Sequence, residues 1–139
     1  MTRASRLVIA ILAVTVAACS SSLPATPPAA TPPTSGIDVP ATVSVAEAAT
    51  LRNAGAFVLD VREPDEWAAG HIPGATLIPL GELSARLVEV PADRTTVVIC
   101  RSGNRSAQGR DILRAAGYAA VTSVSGGMTD WVAAGLPFE

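Results

Sequence analysis

The chain has 139 residues, a net charge of −2 and 49% hydrophobic residues, and its residues from about 41 onward suffice for one small domain. Its ten basic residues are all arginines, and no basic run or aromatic-rich stretch indicates a nucleic-acid-binding surface. The two cysteines and one histidine do not have the spacing of metal ligands, which excludes an ordinary zinc site.

Residues 1–18 have the pattern of a secretory signal peptide. Arg3 and Arg6 supply the positive N-terminal charge, and residues 7–18 form an apolar run of twelve residues with a single threonine. Twelve residues rise about 18 Å as a helix, which is less than the roughly 30 Å of a hydrocarbon core. We therefore expect this segment to direct export and not to span a membrane.

The signal segment ends in small residues before a cysteine, Val16-Ala17-Ala18-Cys19, and this resembles the lipobox of bacterial lipoproteins. The resemblance implies cleavage before Cys19 and acylation of its sulfur and amine. Stable anchoring requires several acyl chains, because a single chain binds a bilayer only marginally. We expect an exported protein, lipid-anchored to the cell membrane on its extracytoplasmic face or in the periplasm. The alternative is ordinary signal-peptidase cleavage after Ala18.

Residues 19–40 are predicted to form a tether between the lipidated cysteine and the folded domain. Beyond Cys19 the segment is rich in Pro, Ala, Thr and Ser, a composition that cannot bury a core and favours extended polyproline II. At about 3.1 Å per residue, such a tether can hold a domain up to about 65 Å from the bilayer. We place the start of the folded domain near Ala41.

Residues 41–139 contain alternating helix and strand patterns. Ser44 followed by Glu47 is a capping-box pattern that starts a helix, and Gly55 follows the end of that helix. Short apolar runs rich in β-branched residues indicate buried strands. The pattern predicts helices over 44–53, 64–69, 81–89, 106–116 and 128–134, and strands over 56–61, 75–78, 95–99 and 121–124.

Strands that alternate with helices, and that are apolar almost throughout, predict an α/β fold with a parallel sheet covered on both faces. Folds of this kind bind ligands at the carboxyl ends of their strands. Asp60, Arg62 and Cys100 all lie at such ends. The sequence therefore predicts that the candidate functional residues lie at one edge of the sheet.

The segment Cys100-Arg101-Ser102-Gly103-Asn104-Arg105-Ser106, here called the Cys100 loop, joins a predicted strand to a predicted helix. Backbone N–H groups of the loop and of the first helical turn are expected to point into its hollow, where the helix dipole is positive. Arg101 and Arg105 add two permanent positive charges. A thiol in such surroundings is expected to have a lowered pKa and to react as the thiolate.

Four motifs occur in order along the domain: Asp60-Val61-Arg62-Glu63, Gly70-His71-Ile72-Pro73-Gly74-Ala75, the Cys100 loop, and Gly126-Gly127-Met128 followed by Trp131. Together they resemble a single-domain rhodanese, a sulfurtransferase of the thiosulfate type, and the resemblance spans residues 41–139. It implies an α/β three-layer sandwich with a central five-stranded parallel sheet and helices on both faces.

The resemblance also implies an activity. Cys100 would accept a sulfane sulfur from thiosulfate or a similar donor as a persulfide and pass it to cyanide or a thiol. Asp60 and Arg62 would support the loop through hydrogen bonds and a salt bridge. No bound cofactor is expected, because Cys100 itself carries the sulfur. The substrate would be held by the residues that follow the cysteine: Arg101, Ser102, Gly103, Asn104, Arg105 and Ser106.

The nature of the acceptor follows from the cysteine count. If Cys19 is lipidated, no second thiol remains in the mature chain to discharge a Cys100 persulfide, so the acceptor is expected to be external. His71 has no cysteine or acid partner in the sequence pattern and is interpreted as a turn residue. Trp67 and Trp131 are interpreted as core or pocket wall.

Two alternative functions remain open. Cysteine phosphatases and arsenate reductases have the pattern Cys-x5-Arg, whereas Arg105 stands five positions after Cys100 and position 106 is serine. The shorter loop suits one sulfur atom better than a phosphoryl group. The other alternative is a non-catalytic rhodanese-like module for binding or sulfur sensing, although such modules often lack the cysteine that is present here.

Overall fold

The structure is a computed structural model that describes residues 38–139. The predicted signal peptide, the lipidation site at Cys19 and residues 20–37 of the predicted tether lie outside the described residues. Within the described part, no helix combines the length and the apolar character needed to cross a bilayer. The strands and α-helices are β1 (Thr42–Val43), α1 (Val45–Asn53), β2 (Phe57–Asp60), α2 (Pro64–Ala68), β3 (Thr76–Leu77), β4 (Thr96–Ile99), α3 (Asn104–Ala115), β5 (Val121–Val124) and α4 (Gly127–Ala133).

The strands of residues 38–139 form one five-stranded sheet in which neighbouring strands are parallel. The strand order β1-β5-β4-β2-β3 puts β4 at the centre, between β5 and β2. In the register of β2 and β4, Asp60 lies opposite Ile99. The residues that follow these two strands therefore leave the same edge of the sheet, and the predicted α/β fold with a five-stranded parallel sheet is confirmed.

Successive residues of β4 point to opposite faces of the sheet, as the pleat of a strand requires. Ile99 packs in one core with Trp131 of α4, and α1 contributes to the same core. Val98 and Cys100 pack in the other core with Leu113 of α3. Both faces of the sheet are thus covered by helices, which makes three layers and explains why all four residues of β4 are buried.

The edge strand β1 is not predicted by the sequence pattern, because two residues carry no usable periodicity. Thr42 and Val43 pair with Ser123 and Val124 of β5, and Val43 is buried. This pairing supplies the fifth strand that the family resemblance implied. The first strand of the described residues therefore begins next to Ala41, where the sequence pattern placed the start of the folded domain.

The predicted helix over 81–89 is wrong. The chain instead makes two short 3₁₀ turns, Leu83–Ala85 and Leu87–Glu89, separated at Arg86 by a φ of −118°. Pro91 disfavours helical backbone at the preceding residue, and Val90 is accordingly extended. The break at Arg86 and the extended Val90 leave two single turns in place of one helix. The other predicted helices and strands are present within about two residues of their expected bounds.

Candidate active site

Cys100 follows β4 directly and lies at the carboxyl end of the central strand. The residue is 1% exposed, and its side chain packs in the core that α3 covers. The sulfur still has polar contacts, because the Gly103 N–H donates a hydrogen bond to Cys100 Sγ at 3.1 Å. Residues 101–103 reverse the chain between β4 and α3, and this tight turn is what brings the loop N–H groups to the sulfur.

The backbone of the Cys100 loop stabilises the thiolate. Burial by itself raises the pKa of the Cys100 thiol. Backbone hydrogen bonds from Ser106, Gly103 and Ser102, together with the Ser106 hydroxyl, lower the pKa and outweigh burial. The thiol pKa therefore lies below its ordinary value, as predicted. The loop backbone thus contributes as predicted, and the Ser106 hydroxyl is a further contribution that the sequence pattern did not indicate.

Gly103 is the residue that allows the loop to close. Its φ of +103° is a backbone conformation that side-chain-bearing residues rarely adopt, and it forms the N-cap of α3. A Cβ at this position would lie 3.3 Å from the Val124 carbonyl oxygen and 3.3 Å from the Gly126 nitrogen. The buried Ser106 hydroxyl donates to the Gly103 carbonyl at 2.8 Å and fixes the first turn of α3. These contacts explain why α3 begins at Asn104, two residues before its predicted start.

The N-terminus of α4 holds the other side of the same loop. The Met128 N–H donates to the Cys100 carbonyl at 2.8 Å, and the Thr129 N–H donates to the Arg101 carbonyl at 3.1 Å. The Thr129 hydroxyl also donates to the Arg101 carbonyl, at 3.0 Å. Gly127 passes so close that a Cβ there would collide with the carbonyl oxygen of Cys100. Sequence reasoning noted the Gly126-Gly127-Met128 motif but did not assign it this role.

Arg105 faces a partner that sequence reasoning missed. Its Nη1 and Nη2 donate to the two carboxylate oxygens of Glu66 on α2, each at 2.7 Å. Hydrogen bonding from Arg105 lowers the pKa of Glu66 to about 2, and the same pair raises the pKa of Arg105. The thiolate of Cys100 also acts electrostatically on Arg105 and helps to raise its pKa. The positive charge of Arg105 is therefore compensated.

The remaining predicted loop residues lie at the surface. Arg101, Ser102 and Asn104 are exposed. Within residues 38–139, the Arg101 guanidinium has no ion-pair partner. The two loop arginines are thus unlike each other: Arg105 is paired, whereas Arg101 extends into solvent beside the sulfur-bearing turn.

Asp60 and Arg62 form a buried ion pair that supports α2. Asp60 is 0% and Arg62 5% exposed, and Arg62 Nη2 lies 2.7 Å from Asp60 Oδ2. Arg62 Nη1 also donates to the Glu66 carbonyl at 3.0 Å, and Nη2 donates to the Gly70 carbonyl at 2.9 Å. The structure gives the Asp60 and Arg62 side chains no hydrogen bond to residues 100–106. The pair instead positions α2, whose Glu66 contacts the loop through Arg105.

His71 lies beside α2 and contacts Trp67 and Glu139. Its ring stacks on Trp67 at a centroid distance of 3.8 Å, and its Nδ1 lies 3.2 Å from the Trp67 carbonyl oxygen. The His71 backbone exchanges two hydrogen bonds with Glu139. Trp131 is buried in the core and donates to the Pro137 carbonyl at 2.9 Å. Both residues thus make contacts that order the C-terminal segment.

The described residues contain one free cysteine, Cys100. No group of three or more His, Cys, Asp or Glu side chains in residues 38–139 is arranged to hold a metal ion. The groups that the described residues bring together at this site are a thiolate, the N–H groups around it and the charged groups at the mouth of the loop. This combination is suited to nucleophilic attack on a sulfur or similar electrophile that leaves as an anion.

Comparison with known proteins identifies relatives of this fold and loop. The profile of the rhodanese-like domain matches residues 44–134. A sulfurtransferase of Allochromatium vinosum is 41% identical over 81 residues, which cover 58% of this chain and 76% of that protein. The thiosulfate sulfurtransferase GlpE of Pseudomonas entomophila is 36% identical over 89 residues, which cover 64% of this chain and 82% of that protein.

Solved structures agree with these relatives. The human single-domain sulfurtransferase TSTD1 matches with a TM-score of 0.62 and 33% identity, covering 68% of this chain and 97% of that one. Some other curated relatives are longer proteins, of which the chain spans 40% to 49%. The profile match runs from the N-cap of α1 through α4 and includes the whole Cys100 loop. The chain belongs to the family of rhodanese-like domains.

Proposed function

We propose that the chain is a sulfurtransferase that carries a sulfane sulfur on Cys100 as a persulfide. The observation that carries this proposal is the convergence of loop donors on one sulfur atom. The Gly103 N–H lies 3.1 Å from Cys100 Sγ, and the backbone of Ser102 and Ser106 also lowers the thiol pKa. The relatives named as sulfurtransferases support the same chemistry.

The proposed cycle has two displacement steps. First, the Cys100 thiolate attacks the outer sulfur of thiosulfate or a similar donor. The donor S–S bond breaks, sulfite leaves with the bonding electron pair, and Cys100 holds the extra sulfur as a persulfide anion. Second, cyanide or an external thiolate attacks that outer sulfur, and Cys100 leaves as the thiolate. Both steps balance without a separate oxidant, reductant or bound cofactor.

The loop suits both states of the sulfur because thiolate and persulfide are each anionic. Preorganised N–H donors stabilise such charge without rearranging during the reaction. Each donor of this kind contributes a few kcal/mol, roughly 3, in a transition state. Arg101, Ser102 and Asn104 are exposed at the mouth of the loop, where donor and leaving group must pass. Asp60 and Arg62 are positioning residues, which act by holding α2.

The acceptor is proposed to be an external small molecule or protein thiol. Cys100 is the one free cysteine in residues 38–139, and the sequence contains a single further cysteine, Cys19. A Cys100 persulfide would therefore have no internal thiol to attack it if Cys19 is lipidated. Cyanide serves as a convenient acceptor in an assay, because its product thiocyanate is easily measured.

The test uses the purified full-length chain and its Cys100→Ser variant. Each protein is incubated with thiosulfate, its intact mass is measured, and cyanide is then added. We expect the wild-type mass to increase by one sulfur atom and the sulfur to appear as thiocyanate, while Cys100→Ser remains unmodified. Turnover of a phosphate ester or of arsenate without sulfur loading would instead favour the phosphatase or arsenate reductase alternative. A folded wild-type protein inert towards every sulfane donor would favour the binding-module alternative.

We also propose, from the sequence pattern of residues 1–19, that the protein is exported and anchored to the cell membrane by lipid on Cys19. The tether of residues 20–40 would then hold the domain away from the bilayer. Metabolic labelling with a fatty-acid probe tests this proposal in cells. Wild-type protein is expected to be labelled and sensitive to inhibition of lipoprotein signal peptidase, whereas labelling that persists in Cys19→Ala would exclude this site.

A further inference from the structure

The mouth of the Cys100 loop has less positive charge than its two arginines suggest. Glu66 binds Arg105 through two hydrogen bonds of 2.7 Å, and both side chains are largely shielded, with 23% and 29% exposure. Glu63 adds a second carboxylate that acts electrostatically on Arg105. Two guanidinium groups are thus opposed by two carboxylates, and Arg101 is the one loop arginine without a paired acid among the described residues.

Glu66 has contacts besides Arg105 that hold it at the loop. Its Oε2 accepts a hydrogen bond from the Glu63 N–H at 3.1 Å. Its backbone carbonyl accepts from Arg62 Nη1 at 3.0 Å, and Arg62 is itself held by the buried Asp60 carboxylate. Moving the Glu66 side chain therefore means breaking its hydrogen bonds with Arg105 and with the Glu63 N–H, while Arg62 fixes the backbone from which the side chain extends.

We propose that Glu66 selects the sulfur donor by charge, favouring sulfane donors with one negative charge over the dianion thiosulfate. This inference rests on the proposed sulfurtransferase function. A donor must approach a thiolate that is already negative, and the paired Arg105 offers little net charge to offset a second negative charge. Like charges at a site cost affinity and slow association, and the effect is strongest at low ionic strength.

The preferred donors are therefore sulfane compounds with a single negative charge. The part of the donor that leaves after sulfur transfer has no additional charge near the reacting sulfur. Thiosulfonates and organic persulfides belong to this class. With methanethiosulfonate, the Cys100 thiolate attacks the terminal sulfur, the S–S bond breaks, and methanesulfinate leaves with the electron pair. The products are the Cys100 persulfide anion and the sulfinate anion, so atoms and charge balance as they do with thiosulfate.

The experiment compares thiosulfate with methanethiosulfonate, which both carry a transferable sulfane sulfur but differ by one charge and in the leaving group. The charge effect is therefore measured as the change that Glu66→Gln and salt make in the ratio of the two rates. We measure kcat/KM of the full-length chain for thiosulfate and for methanethiosulfonate, with cyanide as acceptor, at low and high ionic strength. The variant Glu66→Gln removes one charge and retains an oxygen that can accept from Arg105. The matched control is Glu89→Gln, because Glu89 also binds an arginine through two hydrogen bonds, of 2.6 and 2.8 Å, but in the 3₁₀ segment.

We expect the wild-type protein to prefer methanethiosulfonate by about tenfold or more at low ionic strength. Glu66→Gln is expected to raise kcat/KM for thiosulfate about tenfold at low ionic strength, to change that for methanethiosulfonate less than about threefold, and to make the thiosulfate reaction less sensitive to salt, because the repulsion that salt screens is reduced. Glu89→Gln is expected to leave the donor ratio unchanged.

Two outcomes would overturn the inference while leaving the proposed function intact. One is a wild-type preference for thiosulfate. The other is an equal change for both donors in Glu66→Gln, with native-like thermal unfolding, since this would make Glu66 a purely positional contact of Arg105. If neither donor placed sulfur on Cys100, the proposed function itself would be contradicted. A failed inference about Glu66 is therefore distinguishable from a failed sulfurtransferase function.

Discussion

The N-termini of α3 and α4 meet at the same loop but act on different atoms. α3 follows Gly103 and directs loop and first-turn N–H groups towards the Cys100 sulfur. α4 follows Gly126 and directs its first N–H groups towards the carbonyl oxygens of Cys100 and Arg101. Both helices thus begin at a left-handed glycine. One acts on the reacting side chain, and the other on the backbone that carries it.

The two helix N-termini therefore have different roles: the α3 side affects the reactivity of the Cys100 thiolate, and the α4 side affects the position of the loop. Donors from the α3 side interact with the thiolate, so altering them should change the pKa and reactivity of Cys100. Donors from the α4 side interact with neutral carbonyls, so altering them should shift the position of the loop and lower stability without direct action on the sulfur. Substitutions at matched positions of the two helices can test whether this division holds.

The largest effect is expected for Gly127→Ala on the α4 side. Its φ is +57°, and a Cβ there would collide with the Cys100 carbonyl and approach the Arg101 carbonyl group to 2.7 Å. We expect a loss of about 3 kcal/mol or more in unfolding free energy, because backbone atoms of the loop cannot move aside cheaply. Sulfur transfer should fall about 100-fold, as expected for a misplaced nucleophile. Chemical denaturation and thiocyanate formation measure the two effects.

Gly135→Ala is the matched control for Gly127→Ala. Gly135 has a similar φ of +66°, but nothing lies within 4 Å of a Cβ built there. The control should lose only the strain of a left-handed alanine, about 1 kcal/mol, and retain its activity. If the two variants lost equal stability and both remained active, the close packing of α4 against the loop would not be what positions Cys100.

The next largest effect is expected for Gly103→Ala on the α3 side. The left-handed φ and the 3.3 Å contacts of the new Cβ should cost about 2 kcal/mol. The N–H that binds Cys100 Sγ should also be displaced, so the thiol pKa should rise towards its ordinary value. Gly117→Ala has a comparable φ of +96° in open space and should lose stability without changing the thiol pKa. A thiol pKa unchanged in Gly103→Ala would contradict the assigned role.

Sequence reasoning could locate the loop but not its supports. The Cys100 nucleophile, the glycine turn and the parallel sheet follow from residues that are adjacent or regularly spaced, because strand, turn and helix signals are local. Glu66 is 39 residues from Arg105, and their contact depends on where Arg62 holds α2. Such a pairing cannot be predicted from the spacing of charges along one element.

The same limit explains two other differences from prediction. The two-residue β1 exists because β5 offers it an edge to pair with, and a segment of that length has no periodicity of its own. The segment 81–89 has helical spacing of its apolar residues, yet Pro91 and the short connection to β4 leave 3₁₀ turns. In both cases the tertiary surroundings decide the local structure.

A smaller effect is expected for Ser106→Ala, measured as the pH dependence of Cys100 alkylation by neutral iodoacetamide. The alkylation rate rises with pH as thiolate forms, and in the wild-type protein it should reach half its maximum at a lower pH than in the unfolded protein, because the pKa of the Cys100 thiol is lowered. Removing the hydroxyl removes one group that lowers the pKa but leaves the backbone N–H groups. The midpoint should therefore move to higher pH and stay below that of the unfolded protein.

Ser123→Ala is the control for Ser106→Ala, because Ser123 is also buried and its hydroxyl lies 3.2 Å from the Ala41 carbonyl oxygen at the edge strand. Ser106→Ala should lose about 1 kcal/mol of unfolding free energy, as expected when a buried hydrogen bond is removed. Ser123→Ala should lose at least as much, because its hydroxyl also lies 3.1 Å from Thr42 Oγ1 and accepts from Arg110 Nη1 at 3.1 Å. The alkylation midpoint should move in Ser106→Ala alone. Equal midpoints in the two variants would mean that the hydroxyl does not act on the thiolate.

The smallest effect is expected for Thr129→Val on the α4 side. The substitution removes the hydroxyl bond to the Arg101 carbonyl at 3.0 Å and retains the backbone N–H bond at 3.1 Å. We expect a loss of about 0.5 kcal/mol, less than a threefold decrease in sulfur transfer and no change in thiol pKa. Thr50→Val is the matched control, because Thr50 is an exposed helical threonine whose hydroxyl donates to the Ala46 carbonyl at 3.0 Å. A shifted thiol pKa in Thr129→Val would show that the α4 contacts act on the sulfur as well as on the loop backbone, and the division between the two helices would fail.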